Sequence, residues 1–137
     1  MIHEKTKSPT ATASLQECIN LCLECVAECE SCGAACVAMD MKGMAECIAA
    51  CRDCADLCLT SAQLMARNSP HHVAICGTCA DACERCATAC DRQAGLHQGE
   101  AAARLQACAK ACRECATACR QIASQAKDQA ASCCGGN

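Results

Sequence analysis

The chain contains no phenylalanine, tyrosine or tryptophan in 137 residues. A core therefore cannot be built from aromatic bulk, and leucine, isoleucine and valine are too few to replace it. No stretch approaches the ~20 consecutive apolar residues of a membrane span, so no membrane partner is expected. Residues 1–13 hold neither an apolar run nor paired arginines, which leaves no visible export signal and makes a reducing cytoplasm the expected compartment. Charge of either sign is also in short supply for its usual uses. Twelve basic against fifteen acidic residues give a net charge of −3, too little to imply nucleic acid or a lipid surface as partner.

What the chain has instead is cysteine, 21 residues of it. Such a content usually marks a disulfide scaffold in a short secreted chain. An odd count, a longer chain and the expected compartment all argue otherwise, and in a reducing cell cysteines are more often metal ligands or redox groups. They fall in four runs and a tail. The first is Cys18, Cys22, Cys25, Cys29, Cys32 and Cys36; the second is Cys47, Cys51, Cys54 and Cys58. Cys76, Cys79, Cys83, Cys86 and Cys90 make the third, and Cys108, Cys112, Cys115 and Cys119 the fourth. Cys133 and Cys134 stand apart.

Within every run the spacing alternates strictly between three and four. That alternation is the inward a/d pattern of a helix in a bundle. Helices are predicted near residues 15–38, 43–67, 70–94 and 100–130. Ser14 with Glu17 reads as a capping box before the first, and Ser69–Pro70 as an N-cap and first helical residue of the third. Gly95 closes that helix, Gly99 lies in the turn before the fourth, and residues 40–43 form the turn after the first. Connections this short make neighbours antiparallel. The predicted fold is all-α: an antiparallel four-helix bundle spanning residues 14–130, with cysteines lining its interior. A flexible segment is expected at 1–13 and a flexible, cysteine-containing tail at 131–137.

Nineteen cysteines on one inward stripe call for a chemical reason. Each one in place of leucine gives up roughly 1 kcal/mol or more of burial. Disulfides within a helix are disfavoured, because side chains four apart project nearly in parallel. Iron–sulfur motifs usually wrap loops and carry a proline after the last ligand, and neither is present. Zinc suits four thiolates, but each such site carries net −2, and no lysine or arginine lies on the seam to offset it. Cu(I) is soft and monovalent, and two or three thiolates suffice. With every sulfur bridging two ions, a 1:1 core is neutral. Nine CxxxC pairs, from Cys18/Cys22 to Cys115/Cys119, place two thiols one turn apart; Cys76 alone needs a partner on another helix. Copper fits best, with an iron–sulfur redox protein or a zinc buffer of metallothionein type as the alternatives.

The runs CINLCLECVAECESCGAAC, CIAACRDCADLC, CGTCADACERCATAC and CAKACRECATAC resemble the bacterial copper storage proteins, and the lack of an export signal resembles their cytosolic branch. The resemblance implies a four-helix bundle, assembly as a homotetramer, and an interior filled with many Cu(I) ions on cysteine. It does not extend to Cys133 and Cys134. No nucleophile–base pair or phosphate-binding loop is visible, so a binding protein is expected and not an enzyme. Extending the seams to the end where the first and third helices finish reaches Met39, Met44 and His97, with Met41 nearby. These are weaker Cu(I) ligands suited to admitting metal. The opposite end continues onto Leu15, Ser61, Met65, His72 and Ile122 and is expected to be plugged, with His71 and His72 exposed. Ile19, Leu23 and Val26, with Ile48 and Leu59, lie off the seam and suggest an oligomer face.

Overall fold

The computed structural model describes residues 14–38 and 43–134, with side chains as far as residue 125. Four helices follow one another: α1 (Leu15–Ala38), α2 (Ala45–Ala66), α3 (His72–Ala94) and α4 (Gly99–Cys134). There is no strand among the described residues. Each helix packs against its two neighbours in the order α1, α2, α3, α4 and back to α1, which is the up-and-down bundle that the short connections require. The predicted segment 1–13 and residues 39–42, which include Met39, Met41 and all but Gly43 of the predicted turn, lie outside the described residues, as do 135–137. α4 runs four residues past the predicted limit, to Cys134.

The predicted capping residues lie at the starts of α1 and α3. Ser14 N–H donates to Glu17 Oε1 (2.8 Å) and Glu17 N–H to Ser14 Oγ (3.1 Å), which is the reciprocal pairing of a capping box. Ser69 Oγ accepts from His71 N–H (3.1 Å), and the Ser69 carbonyl accepts from His72 N–H at 3.2 Å. That three-residue bond makes the first turn tight, and so α3 proper opens at His72 and not at residue 70. Gly43 (φ 75) and Gly99 (φ 65) hold the left-handed backbone of the two turns they serve, where a side chain would be strained.

Close approach of the helices depends on small residues beside the thiols. Ala55 and Ala62 on α2, Ala80 and Ala87 on α3, and Ala109 and Ala116 on α4 are all buried. Each follows an inward residue, and the two on each helix are a heptad apart. On α1 the same register holds Ile19, Val26 and Gly33. A Cβ at Gly33 would sit 3.9 Å from that of Cys51, so α1 and α2 run nearly in contact there. Charged residues stay outside and tie neighbours together: Arg92 pairs with Glu46 (3.3 Å), Arg104 with Glu28, and Arg120 with both Asp81 (3.1 Å) and Glu84 (2.6 Å).

Candidate metal centre

All nineteen cysteines of the four runs are free thiols and buried, none more than 1 % exposed. Their sulfurs form one continuous column along the bundle axis. From the end where α1 begins, Cys18 meets Cys119 at 3.6 Å and Cys22 meets Cys115 at 3.5 Å. Cys58 then touches Cys79 (3.5 Å), Cys83 (3.6 Å) and Cys115 (3.7 Å). The shortest approach is Cys54 to Cys83, 3.4 Å, and Cys54 also reaches Cys25 (3.7 Å) and Cys112 (3.8 Å). Beyond it Cys29 lies 3.7 Å from Cys112 and 4.0 Å from Cys86. Cys86 contacts Cys51 at 3.6 Å, and Cys47 contacts Cys90 at 3.6 Å. Cys32 completes a cluster with Cys51, Cys90 and Cys108 whose sulfurs all lie within 4.8 Å of one another.

Such clusters of four overlap. Cys58 belongs both to the set Cys22, Cys58, Cys79, Cys115 and to the set Cys25, Cys54, Cys58, Cys83; Cys25 and Cys54 recur in the next, with Cys29 and Cys112. Adjacent sites would therefore share sulfurs. Pairs one turn apart also approach, as Cys25/Cys29, Cys54/Cys58 and Cys79/Cys83 do at 3.9 Å each. The closest approaches nevertheless cross between helices. The CxxxC pairs are thus strands of a network and not separate pincers. Cys76, which lacks an i,i+4 thiol, neighbours Cys18 and Cys119 across the bundle.

Burial acts against the thiolate form all along the column. Burial pushes the Cys36 thiol up; contact with Cys51, then burial, raises Cys47 to about 12. An anion here would have lost its water without gaining a cation, since no charged residue is buried among the described residues. A soft metal ion would supply that missing positive charge as it displaces the protons.

Both ends of the column carry thioether and imidazole. At the predicted mouth Met44 is buried (2 % exposed) one turn before Cys47. His97 is half-buried, and its Nδ1–H donates to the Gln93 carbonyl at 2.7 Å, which fixes the ring and leaves Nε2 as the free lone pair. Met39 lies outside the described residues. Leu105, fully buried at this end, was missed, although stepping back three from Cys108 lands on it. At the opposite end Met65 and Ser61 are buried, Ile122 nearly so, and Leu15 half-buried. His71 is exposed as expected. His72 is not: it is half-buried, its Nδ1–H donating to the Ser69 carbonyl at 2.8 Å.

A family model described as copper storage protein matches residues 11–124. The chain belongs to the copper storage protein family. Among solved structures it is similar to apo copper storage protein 3 from Bacillus subtilis, with 37 % identity and a TM-score of 0.68 over 80 % of this chain and 99 % of that one. It is also similar to a Cu(I)-bound copper storage protein, BsCsp3, with 38 % identity and a TM-score of 0.69 over 79 % of this chain and 96 % of that one. A search of curated protein sequences gives no match. The family's cysteine-rich four-helix bundle is the fold described above, and the family favours copper over the zinc and iron–sulfur alternatives.

Proposed function

We propose that this copper storage protein holds many Cu(I) ions at once on the nineteen cysteines of its interior, in the cytoplasm, by binding and not by catalysis. The observation that carries the reading is the sharing of sulfurs between neighbouring four-thiol clusters. A shared thiolate bridges two ions, and at two sulfurs per ion the ratio approaches 1:1 with no net charge in a core that offers no cationic side chain. Zinc in the same column would accumulate negative charge at every site. The relative with Cu(I) bound supports the choice of ion.

Met44 and His97, with Met39, admit the metal at their end of the column: a thioether and an oriented imidazole can receive an ion and pass it to Cys47, Cys36 and Cys90 behind. Four copies assemble, with Leu23 and Leu59, both exposed on the bundle's outside, as candidates for the covered face. Protein purified from cells supplied with copper and zinc together tests the metal. Copper far in excess of zinc, in a colourless sample, is expected; zinc in excess, or the brown colour of iron–sulfur clusters, would contradict the reading.

A further inference from the structure

Ser61 is the one polar residue wholly buried among the described residues, at 0 % exposure, and its Oγ has no hydrogen-bond partner. A buried hydroxyl without a partner is costly. Its register explains what it faces. Ser61 follows Cys58 by three, so it continues the α2 seam into the layer of Cys18, Cys76 and Cys119, where it takes the place of a fourth thiol. One turn further along α2 is Met65, 1 % exposed. On α3 the position one turn before Cys76 is His72, so that His72/Cys76 repeats the CxxxC spacing with imidazole in place of sulfur. Side chains four apart on a helix lie one above the other. The His72 ring is already oriented: with Nδ1–H given to the Ser69 carbonyl at 2.8 Å, its lone pair is on Nε2, the arrangement found in metal-bound histidines.

We infer that the end of the bundle opposite Met44 and His97 is a mixed-ligand metal site, in which Cys76 thiolate and His72 Nε2 hold a terminal Cu(I), with the Met65 thioether as third ligand. This rests on the copper-storage reading and extends it to residues that would otherwise be a plug. Ser61 keeps its hydroxyl because the loaded layer contains thiolates: O–H donates to a thiolate sulfur and is satisfied only when metal is bound. Cu(I) arrives on a small-molecule thiolate; as the S–Cu bond to Cys76 forms, the Cys76 proton passes to the departing thiolate, and no electron is transferred. A site with one strong and two weaker ligands fills last and empties first. The column then has a labile ion at each end.

Cu(I) is diamagnetic, so the site can be read directly by nitrogen-15 NMR of histidine rings in the full chain, loaded anaerobically with Cu(I) to saturation. His72→Gln assigns the His72 signals. We expect the His72 Nε2 resonance to leave its unliganded position in the last steps of loading, and His72→Gln to saturate with about one ion fewer than the parent. A His72 Nε2 signal that stays in place at full loading overturns the site, whatever the total count, and leaves copper storage intact. Failure of the parent chain to take up Cu(I) at all would instead remove the storage reading, and the terminal site with it.

Discussion

Cysteine is a poor filler for an a/d position and a good ligand, and the side chains around it separate those two roles. Ala80, Ala87, Ala109 and Ala116 bring the helices together; the thiols between them face other thiols at 3.4–4.0 Å. Met44 and His97 belong to the second role only if they handle metal in transit. Replacing Met44 with Leu and His97 with Ala keeps an apolar cap over the column while removing both ligands. Loading from a Cu(I)–thiol donor and removal by a chelator are then expected to slow together, while the saturating copper count stays nearly that of the parent, because the thiols remain. Unchanged rates in stopped-flow measurements would make the two residues simple packing.

At the scale of elements, most of the molecule was legible because one residue type marks the inside. The 3/4 alternation located four helices and their inward faces, and Ser14/Glu17 set the start of α1 to the residue. What was misread lies where two signals compete. His72 follows a helix start, which suggests exposure, yet it also falls on the seam, and packing decided for partial burial. Leu105 lies on the α4 seam three residues before Cys108, and packing buries it fully. α4 continues to Cys134 because nothing in residues 126–134 breaks a helix until the paired glycines at 135 and 136. Network contacts between helices could not be read from spacing at all. The contact of Cys54 with Cys83 at 3.4 Å depends on the relative rise of α2 and α3, which no single helix encodes.

For the whole molecule the expected consequence is a bundle that is complete before metal arrives. Protonated thiols serve as small apolar groups, and capped, alanine-rich helices have propensity of their own. Ionising that core should undo it. Contact with Cys51, then burial, raises Cys47 from an ordinary value of 9.0 to about 12, so its contribution to stability is fully present below pH ~9 and is lost as pH climbs toward 12. Reduced apo protein is expected to be mainly helical at pH 7 by far-ultraviolet circular dichroism, and to unfold between pH 9 and 12. Mostly coil at pH 7, or helicity unaffected through pH 12, would count against a preformed thiol core.

The capacity of that core is the central quantity. Nineteen buried thiols whose clusters share sulfurs should take up roughly one Cu(I) per thiol, on the order of twenty per chain. Anaerobic titration of the reduced protein with Cu(I) against a competing chelator measures it directly. Saturation near that figure is the result predicted here; saturation at four to six ions would mean separate four-thiol sites and would contradict a shared, neutral column of copper and sulfur.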